Sequence, residues 1–278
     1  MSARSEVLID VVRLPDALAA GAQLLDVRWH LGEAPGTGHR EFTEGHIPGA
    51  RFLDMENVLT GPTTDPTLGR HPLPDAARLE AGLGALGIDA GRPIVVYDLP
   101  TAFVAGRAWW VLRWVGLDVR VLDGGLPAWV AAGGELESGD PEPPEPTPLH
   151  LTTGQLPTIY ADEAARFDGV LIDVRAAERY RGEVEPIDRV AGHVPGAVNR
   201  PVAGFCDATG HLAPAADLDA LLDLPLNAPV AVYCGSGVSA GQAVLALASL
   251  GIEAALYPPS WSGWSADPSR PVATGNEP

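Results

Sequence analysis

Residues 24–28 read Leu-Leu-Asp-Val-Arg, and residues 171–175 read Leu-Ile-Asp-Val-Arg. A second box follows each of them at the same offset, Gly-His-Ile-Pro-Gly-Ala at 45–50 and Gly-His-Val-Pro-Gly-Ala at 192–197. Two boxes that recur in the same order indicate that the chain arose by internal duplication.

Each copy then alternates short apolar runs with amphipathic stretches. In the first copy, an apolar run at 93–97 is followed by an amphipathic stretch at 104–115 and a second apolar run at 119–122. In the second copy, the same three features lie at 230–233, 238–250 and 253–257. Short buried strands that alternate with helices are typical of a parallel sheet covered on both faces. We therefore predict an α/β fold of two tandem α/β/α domains, each with a central, mainly parallel sheet. Ligands of such sheets bind beyond the carboxyl ends of the strands.

A proline-rich acidic segment, Ser138–Pro148, separates the copies. Sequence of this kind cannot build a core and predicts an extended linker. We expect an N-terminal domain over 1–137, a linker over 138–157 and a C-terminal domain over 158–278.

The composition argues against several classes of protein. The 278 residues carry a formal net charge of -18, whereas a nucleic-acid-binding protein would show a basic face. Two cysteines are too few for a disulfide scaffold of this size, which favours a reducing, cytoplasmic compartment. The N-terminus lacks the apolar core of a signal peptide, and no apolar run is long enough for a membrane span. No metal-ligand spacing and no nucleotide-binding loop is present, so we expect neither a metal nor a cofactor.

The copies differ chemically at the end of one predicted strand. The first copy has Asp98 there, and the second has Cys234 followed by Gly-Ser-Gly-Val-Ser. Glycines let backbone N–H groups turn toward the sulfur, the start of a helix adds its positive end, and hydroxyls add donors. The residues concerned are Gly235, Ser236, Gly237, Val238 and Ser239.

These backbone N–H groups, the helix start and the hydroxyl groups favour the thiolate form of Cys234 and predict a reactive cysteine. The loop itself contains no Lys or Arg, so we expect the activation to come from dipoles and hydroxyls alone. A buried core thiol is the alternative for Cys234, since cysteine is among the most buried residues. We interpret Cys206, which lacks such a loop, as structural or incidental.

The tandem boxes and the strand–Cys-loop–helix pattern resemble the two-domain rhodanese superfamily over nearly the whole chain. The loop at 234–239 is similar to that of 3-mercaptopyruvate sulfurtransferases. The resemblance implies an enzyme that takes a sulfane sulfur from a small anionic donor as a Cys234 persulfide. A thiophilic acceptor such as cyanide, a thiol or thioredoxin then removes the sulfur. The first domain would be the non-catalytic copy.

The choice of donor depends on charge. Thiosulfate is a dianion, and family members that prefer it carry basic residues after the cysteine, where this chain has Gly235 and Ser236. A neutral loop suits the monoanion 3-mercaptopyruvate, whose carboxylate an arginine can bind through two donors. The resemblance assigns that role to Arg179, and Arg189 is the candidate for the family's second arginine. Thiosulfate remains the alternative donor.

The resemblance also implies a catalytic set around Ser236. Glu56 stands where the family has an aspartate that polarises the loop serine, and His71 matches a histidine near the site. A lone loop histidine is equally typical of the protein surface. His46 and His193 occur in both copies, which favours a structural role. We also expect the repeated Asp-Val-Arg boxes to form ion pairs within the loops and between the domains.

Two other functions are compatible with this architecture. A phosphatase of the same fold needs an Arg six residues after its cysteine, where this chain has Ala240. A non-enzymatic sulfur carrier that receives sulfur from a protein donor would keep the same cysteine loop, and fold analogy alone does not separate it from an enzyme.

Overall fold

The computed structural model describes residues 2–100, 103–225 and 227–278. In the N-terminal copy five parallel strands form one sheet in the order β1-β5-β4-β2-β3. They are β1 (Leu8–Ile9), β2 (Gln23–Asp26), β3 (Arg51–Phe52), β4 (Ile94–Tyr97) and β5 (Val119–Leu122). The α-helices of this copy are α1 (Ala3–Val7), α2 (Leu14–Ala19), α3 (Thr37–Glu44), α4 (Ala76–Ala85), α5 (Phe103–Trp114) and α6 (Gly125–Ala131). Single 3₁₀ turns lie at Val11–Arg13 and Pro66–Leu68.

The C-terminal copy repeats this plan with four parallel strands in the order β7-β6-β8-β9. They are β6 (Val170–Asp173), β7 (Val198–Asn199), β8 (Val230–Tyr233) and β9 (Ala255–Leu256). Its α-helices are α7 (Ala161–Ala164), α8 (Ala177–Tyr180), α9 (Ala215–Leu222), α10 (Ser239–Ser249) and α11 (Ser260–Trp264), and a 3₁₀ turn lies at Val202–Gly204. The predicted fold class of two α/β domains with parallel sheets is confirmed.

The segment predicted as a linker, 138–157, contains no helix or strand. It runs along the N-terminal domain, where the N–H of Thr147 donates to the carbonyl of Gly84 and the N–H of Leu151 donates to Glu80. Among the described residues, no helix is long and apolar enough to cross a membrane.

The repeated boxes form the same contacts in both domains. His46 is buried, its Nδ1 lies 2.9 Å from the carbonyl oxygen of Phe42, and its ring stacks on that phenyl ring. His193 pairs in the same way with the carbonyl oxygen and ring of Tyr180. The same pairing in both copies supports a structural role for both histidines.

The Asp-Val-Arg boxes form buried ion pairs, Asp26 with Arg28 and Asp173 with Arg175. Each pair lies inside its own domain, so the expectation that they also join the domains is wrong. The reason is that the arginine follows the aspartate by only two residues, so its side chain folds back onto the carboxylate at the end of the same strand.

The two domains meet where α5 crosses α10. A Cβ atom added at Gly106 would lie 2.5 Å from the Cα of Gln242, and one added at Gly241 would lie 2.8 Å from the Cα of Arg107. Real Cβ atoms do not approach a backbone so closely, so glycine at both positions lets the helix backbones touch. This crossing carries α5 of the first domain to the base of the cysteine loop.

We predict that Gly106→Ala lowers the free energy of unfolding by about 1–3 kcal/mol. The added methyl group would force the helices apart, which outweighs the higher helix propensity of alanine. Urea unfolding measures the change. Gly204→Ala is the matched control, because an added Cβ there would meet only Leu221 side-chain atoms at 3.7 Å or more. Equal stability of the two variants would contradict the tight crossing.

Candidate active site

Cys234 follows β8 directly and is 2% exposed. The N–H of Gly237 points back at the sulfur, with a distance of 3.0 Å between N and Sγ. The loop is held from below by α11, where the N–H groups of Trp261 and Ser262 donate to the carbonyls of Cys234 and Gly235. The sulfur therefore sits in a rigid backbone turn at the start of α10.

Gly237 shows why the loop needs glycine. Its φ is +80°, a conformation that costs other residues energy, and an added Cβ would lie 2.5 Å from the carbonyl oxygen of Pro258. That conformation directs the Gly237 N–H at the sulfur. The hydrogen bond to Cys234 therefore depends on glycine at this position.

Ser260 supports the cysteine from the other side, and the sequence analysis did not identify it. Its Oγ accepts a hydrogen bond from the N–H of Cys234 at 3.2 Å. The Ser260 hydroxyl has one hydrogen, and the carbonyl of Tyr257 at 3.0 Å is a nearer acceptor than Sγ at 4.0 Å. The available signal in the sequence was its position directly after Pro258 and Pro259, in the turn behind β9, where the structure gives Ser260 a φ of 53°.

Above the sulfur lies a cavity of about 220 Å³ at the boundary of the two domains. Both domains contribute to its wall. The N-terminal domain provides Trp29, Leu31, Arg70, Phe103 and Val104, and the C-terminal domain provides Arg179, Ile187, Cys234, Gly235, Ser236, Val238 and Ser239. The structure thus brings Arg179 and the predicted loop residues other than Gly237 together in the wall of one chamber.

Two arginines approach the loop from opposite domains. A Cβ atom added at Gly235 would lie 3.3 Å from a terminal nitrogen of Arg70 and 3.5 Å from one of Arg179. Arg179 extends from α8, and Arg70 follows the turn at Pro66–Leu68. The expectation that only dipoles and hydroxyls act on this loop is wrong, because cations reach it from distant parts of the chain.

Both arginines carry carboxylate partners on the segment after α8. Glu185 accepts two hydrogen bonds from Arg179, at 2.6 and 3.2 Å, and Asp188 forms ion pairs with Arg70 and Arg179. Burial raises the pKa of the Asp188 carboxyl, and the Arg70 guanidinium opposes that shift. The carboxylates of Glu185 and Asp188 therefore partly neutralise the positive charge that Arg70 and Arg179 bring to the loop.

Arg107 is a third cation at the site, and it is fully buried. It donates to the carbonyl of Gly237 at 3.2 Å and to the carbonyls of Leu59, His71 and Pro72. Burial lowers the pKa of Arg107 to about 10, while the nearby Cys234 opposes that shift. Within the described ranges Arg107 forms no ion pair with a carboxylate, and carbonyl oxygens are the acceptors around its guanidinium group. As the single charge in the apolar run 103–112, it offered a signal that the sequence analysis did not use.

Ser236 and His71 are joined across the domain boundary. The Ser236 hydroxyl and the Nδ1 of His71 lie 2.8 Å apart, and both residues are buried. Burial lowers the pKa of His71 to about 3, and the neighbouring Arg107 and Arg70 act in the same direction. The imidazole is therefore neutral at pH 7 and acts as a hydrogen-bonding partner, not as a cation.

Glu56 lies beyond this pair. Its carboxylate accepts a hydrogen bond from Nε1 of Trp29 at 3.3 Å, and the Trp29 ring packs edge-on against His71 with centroids 5.3 Å apart. Glu56 is exposed and does not line the cavity. It reaches Ser236 only through Trp29 and His71.

Arg189 and Cys206 lie outside the chamber. Arg189 is exposed and lines a neighbouring groove of about 540 Å³, while Ile187 takes the place in the cavity wall on that segment. Cys206 accepts a hydrogen bond from Gln242 at 3.0 Å, and burial raises the pKa of its thiol to about 11. These contacts agree with a structural role for Cys206.

The profile of the rhodanese-like domain matches residues 11–132 and 157–267, so the chain belongs to the rhodanese family. It is 45% identical over 285 residues to the “Putative thiosulfate sulfurtransferase SseB” of Mycobacterium tuberculosis, covering 99% of both chains. It is 42% identical over 265 residues to the “Probable 3-mercaptopyruvate sulfurtransferase” of Pseudomonas aeruginosa, covering 91% of this chain and 92% of the relative. The solved structure of the 3-mercaptopyruvate sulfurtransferase SseA of Escherichia coli superposes with a TM-score of 0.81 at 30% identity, covering 91% of this chain and 98% of that one.

The depressed pKa of His71 predicts a pH dependence of stability. As pH falls below about 6.5, the unfolded chain binds a proton at this residue, whereas the folded chain does not until about pH 3. The free energy of unfolding should therefore fall with pH across this window. Relative to wild type, His71→Gln should lose about 2 kcal/mol less between pH 6.5 and pH 5.

Urea unfolding at several pH values measures this difference, with His150→Gln at an exposed site as the baseline. An identical pH dependence in wild type and His71→Gln would contradict a buried neutral imidazole.

Proposed function

We propose that the chain is a sulfurtransferase that moves a sulfane sulfur through a persulfide on Cys234, with 3-mercaptopyruvate as the favoured donor. The observation that carries the proposal is the placement of Cys234. Its sulfur accepts a backbone N–H bond on a rigid loop and faces a cavity that two arginines line. A nucleophilic sulfur beside two arginines can bind a small anionic donor and take a sulfur atom from it.

In the first half-reaction, the Cys234 thiolate attacks the sulfur of the donor. An S–S bond forms while the C–S bond of mercaptopyruvate breaks, and the carbon leaves as the enolate of pyruvate. The donor's thiol proton moves to that carbon, which completes pyruvate and leaves the persulfide as an anion. The Gly237 N–H and the Arg107 charge, both at the loop, stabilise anionic sulfur in either state.

In the second half-reaction, an acceptor attacks the outer sulfur. With cyanide, a C–S bond forms, the S–S bond breaks, and thiocyanate leaves while the Cys234 thiolate returns. A thiol such as thioredoxin would take the sulfur in the same way. Both cysteines are free in the structure, in keeping with the reducing cytoplasmic compartment that we include in the proposal.

We assign Ser236 a hydrogen bond to the carbonyl group of the donor, which becomes the enolate when the C–S bond breaks. With a neutral His71 at its oxygen, the Ser236 hydroxyl can direct its hydrogen to the donor carbonyl, where charge develops as the enolate forms. Because its pKa is about 3, His71 is too weak a base to remove a proton at pH 7. We therefore assign the pair a hydrogen-bonding role, with Glu56 supporting it through Trp29.

Arg179 is the residue that we propose for the donor carboxylate. It lines the cavity from α8, next to Gly235, and its planar guanidinium can donate two parallel hydrogen bonds. Since Arg189 lies in the outer groove, the second cation in this chamber is Arg70.

Thiosulfate is the second candidate donor, and a specific observation favours it. Three arginines, Arg70, Arg107 and Arg179, surround a loop that itself carries no charge. A dianion gains more from several cations than a monoanion does. The opposing observation is that Glu185 and Asp188 already neutralise Arg70 and Arg179.

The test is a thiocyanate assay with cyanide as acceptor and either donor. We predict faster turnover of 3-mercaptopyruvate than of thiosulfate, and loss of both activities in Cys234→Ser, because serine cannot carry a persulfide. A preference for thiosulfate would overturn the donor assignment. Inactivity with both donors would favour a sulfur carrier that is loaded by another protein.

A paired substitution tests the carboxylate part of the same assignment. Arg179→Met should raise the KM for mercaptopyruvate about 10- to 100-fold, the loss typical of a charge-assisted hydrogen bond. Arg181→Met is the control, because Arg181 lies two residues further along and pairs with Glu183 at 2.8 Å, and it is not among the residues that line the cavity. An equal effect of the two substitutions would contradict the role of Arg179.

A further inference from the structure

Asp188 holds together the two arginines that face the cysteine loop. One carboxylate oxygen pairs with Arg70 of the first domain, and the other lies 3.5 Å from Arg179 of the second. The Asp188 side chain is 9% exposed, so solvent screens these pairs only in part. One carboxylate therefore links the cations of both domains at the mouth of the site.

The carboxylate stands behind the arginines and not in front of them. Arg70 and Arg179 line the chamber with Cys234, whereas Asp188 lines the neighbouring groove, which Arg70 reaches as well. A donor in the chamber would contact the guanidinium groups without contacting Asp188. The Asp188 charge would nevertheless act on that donor, since charge interactions extend over several ångströms in a partly buried site.

The charges at this wall balance. Arg70 and Arg179 supply two positive charges, and Asp188 and Glu185 supply two negative charges within ion-pair distance of them. Glu185 also pairs with the buried Arg175 and accepts the N–H groups of Ile187 and Asp188, so it is tied into the fold. Asp188 is therefore the carboxylate whose charge adjusts the chamber without serving another buried pair.

We propose that Asp188 determines the charge of the donor that this site accepts, by cancelling part of the positive charge of Arg70 and Arg179. This inference rests on the proposed sulfurtransferase function and names its donor class as monoanionic carboxylates. A monoanion still finds two oriented guanidinium groups. A dianion meets one more unit of repulsion from Asp188 than a monoanion does, so the balance works against thiosulfate.

The experiment compares Asp188→Asn with wild type on thiosulfate and on 3-mercaptopyruvate, with cyanide as acceptor. We expect the ratio of kcat/KM for thiosulfate to that for mercaptopyruvate to rise about tenfold in Asp188→Asn. That is the size expected when one unit charge is removed from a partly wet site next to the donor. Asp188→Glu, which keeps the charge, should leave the ratio near the wild-type value.

Glu183→Gln is the matched control, because Glu183 lies on the same segment and, among the residues that the structure describes, forms its ion pair with Arg181 at the surface. It removes the same unit of charge and should leave the ratio unchanged. If Asp188 only positions the arginines, Asp188→Asn will weaken both donors equally, and an unchanged ratio would overturn the proposal. A shift of the ratio in Glu183→Gln as large as in Asp188→Asn would also overturn it.

A binding measurement separates this inference from the proposed function. Sulfate and pyruvate, a dianion and a monoanion, are tested for protection of Cys234 against alkylation by iodoacetamide. Protection by sulfate should strengthen about tenfold relative to protection by pyruvate in Asp188→Asn. If wild type transfers no sulfur from either donor, the proposed function fails, while this ratio still decides whether Asp188 selects the anion.

Discussion

The active site depends on the crossing of α5 and α10 at Gly106 and Gly241. Backbone contact between these helices places Arg107 under the cysteine loop and brings the loop that carries Arg70 and His71 over the sulfur. A side chain at either glycine would have to push the helices apart. The N-terminal domain therefore forms part of the wall of the cavity beside Cys234, and the site belongs to the domain pair.

The duplication places two chemically different side chains, a carboxylate and a thiol, at equivalent strand ends of the two domains. Asp98 and Cys234 follow equivalent strands, and each accepts backbone N–H groups at the start of the next helix, Asp98 from Val104 and Ala105 and Cys234 from Gly237. In the first copy the carboxylate of Asp98 fills the anion site, and burial raises its pKa to about 7. In the second copy the same site holds a sulfur that opens onto the cavity.

Much of the fold was predictable because its signals are local. The apolar runs at 119–122 and 230–233 coincide with β5 and β8, since buried parallel strands depend on short continuous apolar sequence. The Gly-Ser-Gly loop identified Cys234 for a similar reason, because the residues that surround the sulfur in the backbone turn are its neighbours in sequence. Arg179 was identified through the family resemblance, and the structure places it in the cavity wall.

The cations contributed by the first domain were not predictable in this way. Arg70 and Arg107 reach Cys234 only through the packing of the two domains, which no local pattern encodes. The position of Arg189 in the outer groove follows from the path of the segment after α8, where Ile187 lines both the cavity and the groove and Arg189 lines the groove. Electrostatic balance at this site is accordingly a tertiary property, set by which carboxylates the fold brings behind the arginines.

The central claim is that Cys234 carries the transferred sulfur. The most direct test is the intact mass of the protein after exposure to 3-mercaptopyruvate in the absence of an acceptor, followed by peptide mapping. We expect a gain of one sulfur atom on the peptide that contains Cys234, its removal by cyanide, and no gain in Cys234→Ser. A sulfur atom found on Cys206, or no mass change in wild type under conditions where pyruvate forms, would contradict it.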